Sequence, residues 1–320
     1  MKILQEKSEC CNAKIIRFGG KRRQCVACAK TWRVHPAKRG RKAKRRQTIY
    51  LTHVLNHGLA VKHLALHSRL STGAIYKRFA KNLESKLKQK CYLRFRGKKL
   101  ILIIDAEWQY FRGRLWTIYL LAIKSVGTQS VTIADPLLKQ GKENVADWEK
   151  IVDTLPIVVR KRIYAMVSDG IRGIEGLAAR HCWILQRCHF HLLSTLQKMR
   201  GKRATTIGRL TREKIYSLTR AAINEIDERR FCIICRQLAR LAERDECPKK
   251  MRMTVREFLR HRADFRSYLN YPKLLLPKTT NVMESVNSFI RRRARTANTP
   301  KSWHKWAIAA IRFKSKFACK

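Results

Sequence analysis

The chain has 320 residues, with 72 lysines and arginines against 22 aspartates and glutamates, so its formal charge is +50. A surplus of this size attracts a polyanion, and the release of counterions from nucleic acid is the most direct source of affinity. No apolar run reaches the roughly 18 residues that a membrane span needs, and no charged-then-apolar leader opens the chain. We therefore expect a soluble intracellular protein of two or three domains whose partner is nucleic acid, with no membrane partner.

Residues 1–35 predict a small cysteine module. Its four thiols are Cys10, Cys11, Cys25 and Cys28, and a hairpin turn signal, Phe18-Gly19-Gly20-Lys21, lies between the two pairs. Thiolates on two turns, with no room for a hydrophobic core, are typical of a structural zinc site, so we predict a zinc-ribbon-like module. The first pair is adjacent and lacks the usual two-residue gap. His35 is therefore an alternative ligand, and an empty or degenerate ribbon is the competing interpretation.

Residues 36–46 predict a basic linker. Its basic residues are Lys38, Arg39, Arg41, Lys42, Lys44, Arg45 and Arg46. One interpretation is a solvated, disordered linker, and the other is an arm that lies on phosphates or in a minor groove. The two are compatible, since such an arm can become ordered only on DNA.

Residues 47–96 predict a helix-turn-helix domain. Apolar residues recur with helical period over two short helices, and Ser71 is placed to cap a third. That third helix sets Ile75 and Phe79 on one face and leaves Lys77, Arg78 and Lys81 outside, where they would contact DNA in a major groove. A three-helix packing module is the alternative, and the basic linker favours DNA.

Residues 97–200 predict the first part of an RNase H-like core. The five aliphatic residues 100–104 form a strand that we expect to end at Asp105, and a fourth strand, 162–167, ends before Asp169. The predicted order is strand, strand, strand, helix, strand, helix, strand. In an RNase H-like core the first and fourth strands are parallel neighbours, so the two aspartates would meet at their carboxyl ends. Cys188 and His191 begin the next helix.

Residues 201–275 show only helical patterns and predict an all-helical insertion. Residues 276–320 predict C-terminal helices that complete the catalytic core. Glu284 lies in the first turn of one helix, where it would favour the helix dipole even without a catalytic role. Arg291, Arg292 and Arg293 crowd the end of that helix and are predicted to contact DNA. The fold class is therefore α/β: an interrupted RNase H-like core preceded by two small DNA-binding modules.

Taken together, these residues resemble the Mutator-like insertion-sequence transposases, which have a DDE catalytic site. The resemblance rests on Asp105, Asp169, the Cys188-x-x-His191 step, the helical insertion, and the run Thr279-Thr280-Asn281-x-x-Glu284-Ser285-x-Asn287. The cysteine module with its helix-turn-helix is similar to the end-binding region of related bacterial transposases. The resemblance covers nearly the whole chain and is strongest over 98–191 and 278–293.

The resemblance implies a transposase that binds the terminal repeats of an insertion sequence and cleaves and transfers DNA strands. Asp105 would bridge two Mg²⁺ ions, Asp169 would bind one and Glu284 the other, because hard cations need several oxygen ligands on a rigid platform. Cys188 and His191 would lie near the active site, where His191 either contacts the scissile region or braces Asp169; packing at a strand–helix corner is the alternative. The expected assembly is a homodimer on paired DNA ends, in the cytoplasm and on the nucleoid.

Several alternatives stay open at this point. Glu107 is a possible extra ligand, whereas Asp135, which precedes Pro136, is expected to be a turn residue. A catalytically inactive regulator that uses the zinc ribbon and the helix-turn-helix is the second functional hypothesis. Another RNase H-like nuclease is the third, but it would not need a binder of terminal repeats.

Overall fold

The structure is a computed structural model that describes residues 7–20, 22–33, 61–67, 70–88, 97–201, 205–294 and 297–315. The chain divides into two compact units, Met1–Asn82 and Leu83–Lys320. The predicted linker 36–46, with all seven of its basic residues, and His35 lie outside the described residues, as does the first predicted helix of the helix-turn-helix. In the part of the chain that is described, no helix is long and apolar enough to cross a membrane.

The described residues of the first unit form a small antiparallel sheet and two helices. The sheet consists of β1 (Ile15–Arg17), β2 (Arg22–Cys25) and β3 (Thr31–Arg33) in sequential order. The helices are α1 (Val61–His67) and α2 (Thr72–Leu87), whose last turn belongs to the second unit. Ser71 caps α2 as predicted, since its hydroxyl accepts a hydrogen bond from the Ala74 amide at 3.2 Å. Lys77, Arg78 and Lys81 are exposed on α2.

The second unit has a mixed α/β fold. Its strands are β4 (Leu100–Phe111), β5 (Arg114–Ser125), β6 (Val131–Ile133), β7 (Leu137–Gln140), β8 (Ile163–Ser168) and β9 (Ile184–Arg187). Its first helices are α3 (Val145–Asp153), α4 (Ile157–Arg160), α5 (Ile174–Arg180) and α6 (His189–Met199). The later ones are α7 (Arg209–Ala222), α8 (Glu228–Ala242), α9 (Lys249–Arg260), α10 (Arg262–Phe265), α11 (Ser267–Asn270), a 3₁₀ turn (Pro272–Leu274), α12 (Asn281–Ala294) and α13 (Pro300–Ser315).

The six strands form one sheet with the order β6-β5-β4-β8-β9, and β7 pairs with the other end of β5. The pairs β4–β5 and β5–β6 are antiparallel, while β4–β8 and β8–β9 are parallel. The predicted neighbours are therefore present. They include the parallel pair β4–β8, which corresponds to the first and fourth strands of the prediction. Strand β7 was not predicted, because four residues between Pro136 and Gly141 give too short a pattern to recognise.

Helices cover both faces of the sheet. Ile103 of β4 packs with Val286 of α12 and Trp303 of α13 on one face. Ile104, which points the opposite way, packs with Trp148 of α3 on the other face. Because β4 is buried on both sides, its continuous aliphatic run needs no polar alternation. This central strand is the rigid platform for the residues that follow it.

The helices α7–α9 form a third core, and helices α9–α11 attach this segment to the end of β9. The Gln186 side chain donates to the Phe265 carbonyl at 3.1 Å and accepts from the Tyr268 amide at 2.8 Å. Arg187, which is only 2 % exposed, pairs with Glu175 of α5 and, at 3.1 Å, with Glu257 of α9. A buried guanidinium between two carboxylates holds the helical segment at a fixed position on the sheet.

Candidate active site

Asp105 lies on β4 at the place where this strand loses its parallel neighbour. The last β4–β8 pair is Ile103 with Val167, whereas the pairing with β5 continues to Phe111. Our expectation that the strand ends at Asp105 was therefore wrong: only β8 ends there, and β4 runs on as a two-stranded ribbon. The Asp105 carboxylate is 4 % exposed and faces α12.

Asp169 follows β8 directly and comes to the same edge of the sheet. Gly170, with a φ of +93°, turns the chain away at this point. A Cβ at this position would lie only 2.8 Å from the Nη1 atom of Arg187, so the turn needs glycine on both counts. The buried arginine thus fixes the turn that presents Asp169.

Glu284 lies on the first turn of α12. The segment that leads into this helix is hydrogen-bonded to the start of α6. The Cys188 sulfur, which is fully buried, accepts from the Thr280 amide at 3.3 Å. The His189 amide donates to the Lys278 carbonyl at 2.9 Å. One helical turn after Glu284, Asn287 donates from Nδ2 to Oδ2 of Asp105 at 2.7 Å. These contacts bring segments about 180 positions apart in sequence to one point.

His191 completes the cluster. Its Nε2 atom lies 3.5 Å from Oε1 of Glu284, and potential ligand atoms of Asp105, His191 and Glu284 all lie within 4.8 Å of one another. Asp169 is outside this tightest group but interacts electrostatically with both Asp105 and His191. Three of the predicted residues therefore meet within 4.8 Å, Asp169 lies near enough to influence two of them, and His191 forms its ion pair with Glu284. Cys188 packs at the strand–helix corner behind them.

The charges of the cluster are strongly coupled. Burial raises the pKa of Asp105 to about 7; His191 opposes this effect, and the negative charges of Asp169 and Glu284 add to it. Burial alone would lower the pKa of His191, but Cys188 and the two aspartates raise it to about 9. The protein without a bound cation thus holds an excess of acidic groups that one histidine partly offsets.

Glu107, two residues further along β4, shares the face of Asp105 because side chains alternate along a strand. Its carboxylate accepts a hydrogen bond from Nε of Arg291 at 2.7 Å, and an Nη atom of this arginine lies 3.7 Å from Glu284. Arg291, predicted to contact DNA, is thus half-exposed at the rim of the cluster. Arg292 is exposed and bonds to Ser288, and the side chain of Arg293 is not among those described. Asp135 pairs with Arg312.

Two residues near the cluster had no predicted role. Glu143 is held by a 2.7 Å hydrogen bond from the Trp148 indole, and burial together with Asp169 raises its pKa to about 7. No periodic pattern in the sequence identifies Glu143 as a site residue, because it lies in the loop before α3. Asn287 belongs to the quoted motif, and its i+3 spacing from Glu284 on one helix face was the available signal that it points to the same site.

The comparison with known families bears directly on this cluster. A family model described as "Transposase, Mutator family" matches residues 121–300, which is more than half of the chain. The chain belongs to the Mutator family of transposases. The matched span includes Asp169, Cys188, His191 and Glu284, whereas Asp105 lies before it. The search of curated proteins finds no match.

Membership of this family confirms the resemblance drawn from the sequence. A Mutator transposase acts on DNA, so DNA is the partner that the family implies, and cleavage and joining of DNA strands is the general activity. The strongly basic composition agrees with such a partner.

A second group of potential metal ligands lies in the first unit. The sulfur atoms of Cys10, Cys11, Cys25 and Cys28 all lie within 4.8 Å of one another, so adjacency does not prevent the first two from converging. None of the four forms a disulfide. Hydrogen bonding with Cys28 raises the pKa of Cys11 to about 12, whereas the Ser8 hydroxyl lowers that of Cys25 to about 6. Four clustered thiols are a donor set that suits tetrahedral zinc.

Proposed function

We propose that this Mutator transposase binds the terminal repeats of an insertion sequence and cleaves and transfers DNA strands by a DDE mechanism. The observation that carries the proposal is that Asp105 and Glu284 lie with His191 within 4.8 Å of one another, while Asp169 follows the neighbouring parallel strand β8 and interacts electrostatically with Asp105. The fold that supports this convergence is an RNase H-like core, with residues 201–275, which contain helices α7–α11, as the all-helical insertion. The first unit is the end-binding region.

The residues of the cluster fit a pair of divalent cations. Carboxylate oxygens are the ligands that Mg²⁺ prefers, and three carboxylates lie at a site where burial disfavours the charge of Asp105. Asp105 would hold both ions, Asp169 one and Glu284 the other. When bound, two Mg²⁺ ions stabilise the attacking and leaving oxygens of an in-line displacement at phosphorus.

The side chains around the acids have supporting roles. Asn287 fixes the orientation of the Asp105 carboxylate through its 2.7 Å hydrogen bond. Arg291 donates a hydrogen bond to Glu107 and lies 3.7 Å from Glu284, so it joins Glu107 to the rim of the proposed triad. His191 places a proton-bearing ring nitrogen beside Glu284, in reach of the scissile region.

The reaction has two displacements of the same kind. In the first, water attacks the phosphorus at the element's end, the P–O3′ bond breaks, and a 3′-hydroxyl is released. In the second, this hydroxyl attacks a phosphodiester of the target DNA, so that a new P–O bond replaces the broken one. No covalent bond between protein and DNA is needed.

The test is cleavage of DNA that carries the element's ends with its flanks, incubated with the purified chain and Mg²⁺. We expect Asp105→Asn, Asp169→Asn and Glu284→Gln each to reduce cleavage by at least about 10³-fold, since each removes a ligand of the reaction centre. Binding of the same DNA should change less than about threefold. The measurement is strand nicking mapped on a sequencing gel, beside a binding titration.

Asp153→Asn and Glu149→Gln are the matched controls, because both acids form surface ion pairs on α3. They should cleave as the unchanged chain does. Retained cleavage in any one of the three variants would remove that residue from the site. If the unchanged chain binds the ends but never cleaves them, the inactive regulator becomes the correct interpretation.

A further inference from the structure

An open cleft of about 470 Å³ lies beside the acidic cluster and is not used by the proposed chemistry. Its walls include the aromatic rings of Trp108 and Tyr110, and it is also lined by Lys142, Glu143 and Asp169. The volume falls within the roughly 300–1,000 Å³ range of small-molecule sites. Asp169 therefore belongs both to the candidate triad and to the wall of this cleft.

The two aromatic rings are exposed to an unusual degree for their size. Trp108 is 60 % exposed and Tyr110 is 57 % exposed, although both stand on the central strand of the unit. Their ring centroids are 6.1 Å apart in an edge-to-face arrangement. Strand alternation places them on the face opposite to Asp105, at the part of β4 that has no β8 neighbour. Exposed rings on a rigid ribbon are a ready stacking surface.

The chemistry around the rings favours a nucleobase as the occupant. Every base has a π face that stacks on an aromatic side chain, and Lys142 supplies a positive charge for a neighbouring phosphate. Glu143, held by the Trp148 indole, offers an acceptor for an amino group on a base edge. A base inside a duplex has both faces covered by its neighbours and cannot use these rings, whereas an unpaired base in a single-stranded flank can.

We infer that the cleft lined by Trp108 and Tyr110 binds one unpaired base of the DNA strand next to the scissile phosphate. The inference rests on the proposed function, since it places that phosphate at Asp169. A base stacked there would fix the register of the strand across the edge of the sheet. Because stacking tolerates any base, the site would not select sequence by itself.

The experiment is photocrosslinking with the full chain. The probe is a DNA duplex with a single-stranded thymidine flank, in which each flank position in turn carries 5-iodouracil, a base that crosslinks to an aromatic ring stacked on it. We expect a crosslink at one flank position, mapped by mass spectrometry to the peptide that contains Trp108 and Tyr110. Trp108→Ala should lower its yield at least about fivefold, and Trp108→Phe should restore most of it.

Tyr164→Ala is the matched control, because Tyr164 is 44 % exposed at the opposite end of β8. It should leave the crosslink unchanged. As a second measurement, an abasic sugar at the crosslinking position should weaken binding by the unchanged chain about 5- to 100-fold and leave Trp108→Ala unaffected. Crosslinks that map elsewhere, or an equal abasic effect in both proteins, would overturn the inference.

The two proposals fail in different ways. Crosslinking needs no catalysis, so a crosslink at Trp108 in a chain that never cleaves DNA supports the base site and refutes the transposase chemistry. Cleavage that depends on the three acids, together with crosslinks only outside the cleft, supports the chemistry and refutes the base site.

Discussion

At the scale of single residues, the buried acid Asp105 is the most informative feature. A carboxylate that is 4 % exposed, with only one hydrogen bond from a side chain and one from a backbone amide, costs stability when it is ionised. Proteins keep such groups where charge is needed for function. Asp105 lies beside two more acids, and a cation bound among the three would offset the cost of its charge.

Asp105→Asn is therefore expected to stabilise the metal-free protein in a pH-dependent way. Burial raises the pKa of Asp105 from 3.8 to about 7. Between these two pH values the folded protein keeps a proton on Asp105 that the unfolded chain has already released. The loss of folding stability caused by the Asp105 charge grows as pH rises through this range and is complete above about pH 7. At pH 8 the variant should gain about 1–4 kcal/mol, and at pH 4 almost nothing.

The measurement is calorimetric unfolding with a chelator present, at both pH values. Glu149→Gln, which changes an exposed acid, is the control and should be neutral at both. A gain that is equal at pH 4 and pH 8 would show that the Asp105 charge is not the cause.

The sequence predicted the acids at this scale because their signals are local. Asp105 and Asp169 each follow an apolar run, and Glu284 opens a helical pattern. Glu143 could not be found, since its closeness to Asp169 arises only when the loop before α3 folds back on the sheet. The pairing of Glu107 with Arg291 likewise joins residues 184 positions apart.

At the scale of elements, strand β4 shows where periodicity is informative and where it misleads. Its aliphatic half was recognised, but residues 106–111 alternate polar and apolar side chains and were not counted as the same strand. The alternation reflects a change of surroundings, from a strand covered on both faces to a two-stranded ribbon. We expected the strand to end at Asp105, but its pairing with β5 continues to Phe111.

We propose that the small sheet β1–β3 depends on a bound zinc ion for its stability. Among residues 7–20 and 22–33, only Ser8 and Cys25 are buried, so this sheet has almost no hydrophobic core. We expect the purified chain to carry about one zinc ion, and a strong chelator to unfold this sheet. The measurements are metal content and limited proteolysis within the first 33 residues.

Substitution of single cysteines sharpens the zinc prediction. Cys11→Ser and Cys10→Ser should each lower zinc content, because both sulfurs lie within 4.8 Å of Cys25 and Cys28. Cys182→Ser, which changes an exposed thiol of the second unit, is the control. A sheet that stays resistant to protease after complete zinc removal would refute the metal site.

At the scale of the whole molecule, a charge of +50 dominates the behaviour in solution. The sequence predicted that the second unit is α/β, because the helical and strand periods there are long and distinct, and the expected pairing of β4 with β5 and with β8 is present. It did not predict how the helical segment attaches to β9, since Gln186, which bonds to Phe265 of α10 and Tyr268 of α11, follows no periodic pattern.

Residues 1–95 alone are expected to bind duplex DNA with a steep dependence on salt. Each phosphate that a lysine or arginine neutralises contributes a slope of about −0.9 to the plot of log K against log salt. Lys77→Gln on α2 should make this negative slope shallower by about one. The measurement is a titration of labelled duplex DNA at several salt concentrations, and binding that is absent or insensitive to salt would contradict the assignment of this region to DNA.

The central claim is that acids from three distant segments form one site for divalent cations. A titration with Mn²⁺, monitored by electron paramagnetic resonance, tests this claim most directly. The unchanged chain should bind Mn²⁺ in competition with Mg²⁺, and Asp105→Asn, Asp169→Asn and Glu284→Gln should each weaken the binding by at least about tenfold. Asp153→Asn should bind as the unchanged chain does. Equal Mn²⁺ binding by all five proteins would contradict the account.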